Sequence, residues 1–101
     1  MEMTISGRHI DITEAIRAYA SAKAAKLPRY FDRVQSIEII ADRHDTHTYA
    51  AEGIVNAEHT DRFIAKSAGN DLYACIDLVV NKLERQLTDH KERLRNRKHV
   101  S

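Results

Sequence analysis

Residues 71–98 read DLYACIDLVVNKLERQLTDHKERLRNRK, and this stretch decides the fold of the chain. Its apolar side chains recur at steps of three and four residues, and one histidine falls in the same row. The row consists of Leu72, Ile76, Val79, Val80, Leu83, Leu87, His90 and Leu94. Because this spacing puts side chains on one face of an α-helix, it predicts a long helix whose apolar face must be covered by a sheet or another helix.

The outer part of this predicted helix is strongly basic. Residues 82–98 hold seven Lys and Arg side chains against three Asp and Glu, a charge of +4 in a chain of net charge +1. The remaining residues sum to −3, so the chain is polarised. This polarity is typical of proteins that bind a phosphate backbone. Charge alone leaves a second interpretation open, in which the basic face only keeps the protein soluble.

Length and composition limit the class of protein. A chain of 101 residues with 43% apolar and 31% charged residues predicts one globular domain with one core. No apolar run approaches about eighteen residues, and the N-terminus lacks the pattern of a signal peptide. We therefore expect no membrane span and a cytoplasmic location. The single cysteine, Cys75, excludes an internal disulfide and fits a reducing compartment.

Alternating and β-branched stretches indicate four strands, and a further helix precedes the long one. The strands are predicted over residues 3–7, 34–42, 48–56 and 62–68. Thr13 is a suitable N-cap for the further helix, which is expected to end near Pro28, and Asn70 or Asp71 can cap the long helix. The order β-α-β-β-β-α predicts an α+β fold, with a four-stranded sheet and two helices packed on one face. Short links predict that the last three strands are antiparallel.

Two segments carry a resemblance to a known family. They are GRHIDITEAIRAYASAKAAKLPRYFDR at 7–33 and DLYACIDLVVNKLERQLTDHK at 71–91, and they resemble the ribosome hibernation promoting factors and ribosome-associated inhibitors of bacteria. The resemblance implies a fold like that of double-stranded RNA-binding domains. It also implies binding to the decoding region of the small ribosomal subunit, across the tRNA and mRNA sites, which silences idle ribosomes. Since the chain ends at Ser101, we expect the short form, without the C-terminal module of longer members.

Basic side chains of the two helices are the candidates for RNA contacts. Residues 42–61 hold five acidic side chains but only one Lys or Arg, Arg43, which leaves little basic character on that part of the sheet. If the helices are neighbours, their cations would form one continuous surface. The candidate RNA-binding residues are Lys23, Lys26, Arg29, Arg33, Lys82, Arg85, Gln86, Lys91, Arg93 and Arg95. Arg85 is the best single candidate, because a guanidinium group can bind phosphate with two parallel hydrogen bonds.

Residues 1–101 are expected to form a single ribosome-binding domain. The residues past Arg93 either extend the basic surface or form a tail that frays from about residue 95. The sequence leaves both possibilities open.

Other polar and reactive residues are expected to be structural. Tyr73 could stack on a base but is expected in the core, Asp77 in a hydrogen bond or ion pair with a nearby Arg or Lys, and Cys75 as a buried thiol. The spacing of His44 and His47 is only a weak metal-binding signal. No metal, cofactor or catalytic residue is predicted.

Three function classes fit the sequence. The first is a translation silencer that binds the small ribosomal subunit and its rRNA, without a membrane or small-molecule partner. The second is a general double-stranded RNA-binding module without ribosome preference. The third is a small enzyme or a regulator that binds an acidic protein through the basic face.

Overall fold

Four strands and two helices follow one another in the order that the sequence predicts. The structure is a computed structural model that describes the backbone of residues 1–99 and the side chains of residues 1–96. The elements are β1 (Glu2–Arg8), α1 (Glu14–Ala24), a 3-10 turn (Leu27–Arg29), β2 (Val34–Arg43), β3 (Tyr49–Ala57), β4 (Phe63–Gly69) and α2 (Leu72–His99). The predicted α+β fold class is confirmed.

The strands form one open mixed sheet in the order β1-β2-β3-β4. β1 is parallel to β2, because α1 carries the chain back to the same end of the sheet before β2 begins. The pairs β2–β3 and β3–β4 are antiparallel, as predicted. Ile5, Ile39, Gly53 and Ala65 stand in one row across the four strands, on the face that the helices cover.

The core lies between this face and the two helices. The predicted apolar row of α2 is buried from Leu72 to Leu87, while His90 and Leu94 are half-buried. β3 contributes Gly53 beneath α2, where an added Cβ would lie 2.6 Å from Val79 Cγ1 and 2.7 Å from Leu83 Cδ1. The absence of a side chain at Gly53 therefore allows α2 to lie close to the sheet.

Both helices begin at side-chain caps. The Oγ1 of Thr13 accepts a hydrogen bond from the Ile16 N–H at 3.1 Å. One carboxylate oxygen of Asp71 accepts from the Tyr73 N–H at 3.0 Å. These bonds satisfy N–H groups that have no partner within the helix. The predicted cap at Thr13 is confirmed, and of the two alternatives for α2 the cap is Asp71.

α2 runs back along β4 and extends past it. Lys82 lies beside Lys66 in the strand, and Gln86 lies beside Ile64 near the strand's beginning. The helical residues from Lys91 to His99 therefore project beyond the start of β4. The helix continues to His99, and the fraying of its end stays a prediction. The side chains of Arg97 and Lys98, which belong to the predicted basic end, lie outside the described residues.

Candidate RNA-binding surface

The end of α1 and the segment that follows carry four of the candidate residues. Lys23 is in the last turn of the helix, and Lys26, Arg29 and Arg33 follow before β2. Leu27, fully buried, anchors this segment in the core. The Tyr30 N–H donates to the Leu27 carbonyl at 3.0 Å, which closes the 3-10 turn. The exposed Arg29 and Arg33 therefore project from a segment whose backbone is held in place.

Lys23 forms an ion pair with a carboxylate of α2. Its Nζ lies 3.6 Å from one Asp77 oxygen, and the Tyr19 hydroxyl donates a hydrogen bond to the same oxygen at 2.7 Å. The predicted structural role of Asp77 is confirmed. The hydrogen bond to this carboxylate raises the pKa of Tyr19, and burial of the phenol adds to the effect. Because its charge is partly neutralised by Asp77, Lys23 is a weaker candidate for phosphate binding than the other cations.

Tyr73 lies beside this group rather than in the core. Its ring meets the Tyr19 ring edge-on, with the centroids 4.9 Å apart, and the residue is 38% exposed. The prediction of a core position was wrong, because position 73 is on the flank of α2 that faces α1, outside the apolar row.

Lys82 and Gln86 lie on the opposite flank of α2, above the free edge of β4. The Lys82 ammonium donates to the Lys66 carbonyl at 2.7 Å, and the Gln86 amide donates to the Ile64 carbonyl at 3.0 Å. Each side chain keeps further hydrogen-bonding capacity, since an ammonium has three donors and an amide has a second N–H and an acceptor. The sequence did not indicate these two bonds.

The remaining candidates on α2 are exposed side chains at the solvent surface: Arg85, Lys91, Arg93 and Arg95. Arg85 borders a shallow cavity together with Asn81, Glu84, Thr88 and Asp89. Among the side chains of residues 1–96, Lys23 is the one candidate that has a carboxylate oxygen within 4.0 Å. Most of the predicted cations therefore keep their charge available to a ligand.

The two helices are neighbours, but carboxylates interrupt the cationic surface between them. Asp77 faces Tyr19 and Lys23 of α1. About two turns later, the Glu84 carboxylate interacts with the Tyr30 phenol and raises its pKa. The expected single surface is thus divided in its middle. One group of cations surrounds the end of α1, and a second lies on the outer face and C-terminal turns of α2.

The uncovered face of the sheet has a different electrostatic character. Arg8 and Lys66 both approach the Glu52 carboxylate, at 3.5 and 3.7 Å, and the His9 ring lies 3.0 Å from an Asp42 oxygen. The contact with the His9 ring, together with the hydrogen bond that the Arg43 N–H donates, lowers the pKa of Asp42. On this face Arg8 and Lys66 share the Glu52 carboxylate, whereas most candidate cations of the helices have no carboxylate oxygen within 4.0 Å among the described side chains.

Three further features of the described residues concern metal binding, membrane spans and the single cysteine. Within residues 1–96, no three His, Cys, Asp or Glu side chains are grouped so that they could share a metal ion. No helix in the described part of the chain is long and apolar enough to cross a membrane. Cys75 is 2% exposed, and burial raises the pKa of its thiol. The predicted buried thiol is confirmed.

Comparison with known protein families gives a match over nearly the whole chain. Residues 3–95 match the family model described as sigma 54 modulation protein / S30EA ribosomal protein. The ribosome hibernation promoting factor of Escherichia coli K12 is 41% identical over 96 residues, which cover 94% of this chain and 98% of that protein. That of Azotobacter vinelandii is 38% identical, with coverage of 92% and 85%.

Solved structures show the same architecture. The N-terminal domain of Thermus thermophilus Protein Y superposes with a TM-score of 0.78 at 30% identity, covering 89% of this chain and 99% of that one. A ribosomal subunit interface protein from Coxiella burnetii superposes with a TM-score of 0.81 at 25% identity, with coverage of 91% and 99%.

Proposed function

Because the chain belongs to the sigma 54 modulation protein / S30EA ribosomal protein family, we propose that it binds the small ribosomal subunit at the decoding region and inactivates idle ribosomes. In that position it blocks the tRNA and mRNA sites. One observation carries the proposal: the likeness to ribosome hibernation promoting factors extends over 94% of this chain and 98% of the E. coli protein. A cytoplasmic location follows from this partner.

The helix side of the molecule is the proposed rRNA-binding surface. Exposed cations there can neutralise phosphates and release condensed counterions, which supplies most of the affinity without reading sequence. Arg85, Arg29 and Arg33 are suited to orienting contacts, because a guanidinium group can bind phosphate with two parallel hydrogen bonds. Lys82 and Gln86 can contact rRNA through the N–H donors that are not bonded to β4. Occupancy alone blocks the sites, so the mechanism includes no catalytic step and no cofactor.

Co-sedimentation with small subunits stripped of tRNA tests this function. The protein should pellet with the subunits and prevent initiator tRNA from binding. An excess of an unrelated A-form RNA duplex should not displace it. If duplex RNA competes with the subunits for the protein at equal concentration, the chain is a general double-stranded RNA-binding module and the proposal fails.

A matched pair of variants tests the surface. Arg85→Gln with Lys91→Gln removes two positive charges from α2, and we expect at least a tenfold loss of subunit affinity, about 1.4 kcal/mol. Arg8→Gln with Lys66→Gln removes the same charge from the uncovered sheet face and should bind like the wild type. Equal losses in the two variants would show that net charge, and not the helix surface, drives binding.

A further inference from the structure

The free edge of β4 is closed by side chains of the helix that covers it. Within the part of the chain that the structure describes, β4 pairs with β3 on one side and has no strand on its other side. Backbone groups of alternate residues in an edge strand point away from the sheet. The Ile64 and Lys66 carbonyls, two residues apart, are such groups, and they accept hydrogen bonds from Gln86 at 3.0 Å and Lys82 at 2.7 Å.

The other edge of the sheet has a similar contact. A guanidinium N–H of Arg17, in α1, donates to the Ile5 carbonyl of β1 at 3.4 Å. β1 is the second strand with a free side. On both edges, therefore, a long side chain from the overlying helix occupies an outward carbonyl. The β4 edge has two such donors at shorter distances.

Open edges need such protection because an unpaired strand is a template for another strand. β4 reads FIAKSAG, and Ile64 is 41% exposed beside this edge. Once its carbonyls are uncovered, the strand offers outward N–H and C=O groups at residues 64 and 66. We propose that Lys82 and Gln86 keep the protein from pairing with a second copy of itself through β4.

The pairing that they prevent is an antiparallel β4–β4 contact around a twofold axis. Centred on Ala65, it sets residue 64 of one copy opposite residue 66 of the other, so that each pair exchanges two backbone hydrogen bonds. The two four-stranded sheets would then join into one continuous sheet. A second strand at this edge would take the space that the Lys82 and Gln86 side chains fill where they reach these carbonyls, so the two arrangements compete.

Removal of both donors is the test. Lys82→Ala with Gln86→Ala should shift the sedimentation mass from one copy to two, at protein concentrations where the wild type stays a monomer. Hydrogen exchange of the Ile64 and Lys66 amides should slow at least tenfold in the dimer, since both N–H groups become bonded. The Lys82→Arg variant, which keeps a donor of similar reach, should remain monomeric.

The matched control is Asn81→Ala with Arg85→Ala. It removes the same kinds of group, one amide and one positive charge, from exposed positions of the same helix, and it should stay a monomer. The proposal is overturned if Lys82→Ala with Gln86→Ala stays monomeric, if the wild type dimerises as strongly, or if the control dimerises equally. It is overturned too if a dimer forms without slower exchange at Ile64 and Lys66.

Discussion

Asp77 is an acidic residue of α2 that connects this basic helix to α1. Its carboxylate accepts a hydrogen bond from Tyr19 and lies within ion-pair distance of Lys23, so it joins α2 to α1. The Tyr19 phenol must give up its proton to become charged, and the resulting phenolate would lie against a carboxylate. The pKa of Tyr19 is therefore raised. The contribution of this bond to stability is present below the unfolded-state pKa of about 10 and is lost as the pH rises through the higher folded-state value.

The Asp77→Asn variant should bring the pKa of Tyr19 back toward its ordinary value. A neutral amide can still accept the phenol's hydrogen bond, but it no longer opposes the negative phenolate. The pKa can be measured from the Tyr19 ring-carbon NMR shift as a function of pH. Glu84→Gln is the matched control, because Glu84 raises the pKa of Tyr30. This variant should leave the pKa of Tyr19 unchanged. A Tyr19 titration that Asp77→Asn does not move would contradict this assignment.

The sequence predicted residue roles best where local spacing decides them. Asp77 is an acidic residue on a helix that is predicted to bind RNA, and a structural partner could be expected from that alone. The core position predicted for Tyr73 is wrong, because its ring lies on the flank of α2 and packs against Tyr19 of a separate helix. The periodicity of α2 says which side is apolar but not which flank faces α1.

At the scale of elements, the seating of α2 on β3 depends on a glycine. The space that a Cβ at Gly53 would need is occupied by Val79 and Leu83 of the helix. Close approach of a helix to a sheet buries more apolar surface, and each well-packed contact adds a small dispersion attraction. A side chain at this point would have to displace α2 or force core side chains out of their preferred rotamers.

Gly53→Ala should therefore lower the free energy of unfolding by about 1–3 kcal/mol, the usual effect of overpacking. Urea-induced unfolding, followed by circular dichroism, measures the change. Gly69→Ala serves as the control, because its added Cβ would meet only Cys75 Sγ within 4 Å, at 3.7 Å, which is ordinary contact. If the two variants unfold at the same urea concentration, α2 does not lie as close to β3 as described.

Element order and type were predictable from the sequence, but the contacts between elements were not. The strands of the sheet and both helix caps follow from patterns within a few residues of chain. The bonds from Lys82 and Gln86 to β4 depend on which strand lies beneath that flank of α2, which no local pattern records. The carboxylates between the helices were visible as residues, but their position facing α1 emerged only with the packing.

For the whole molecule, the distribution of charge differs between the uncovered sheet face and the helix side. The cations of the uncovered sheet face, Arg8 and Lys66, are paired with Glu52. The helix side holds two groups of cations, one around the end of α1 and one on the C-terminal turns of α2. If both groups contact rRNA together, as the proposed function requires, each should contribute separately to the dependence of binding on salt.

Two triple variants test this division. Lys26→Gln, Arg29→Gln and Arg33→Gln remove the first group, and Lys91→Gln, Arg93→Gln and Arg95→Gln remove part of the second. Each lost phosphate contact should reduce the slope of log affinity against log salt by about 0.7 to 0.9. The slope should therefore fall by about 2 to 3 in each variant and by about 4 to 5 in their combination. Subunit affinity at several salt concentrations gives the slopes.

The control for these slopes is Arg8→Gln, Arg43→Gln and Lys66→Gln, which removes three charges from the uncovered face and the end of β2. Its slope should match that of the wild type, because counterion release reports contacts and not net charge. A slope that falls for the α2 group alone would show that α1 stays off the RNA and that Arg29 and Arg33 are not contacts. Equal decreases in all three variants would mean that the protein binds without a preferred face, which the pairing of Arg8 and Lys66 with Glu52 argues against.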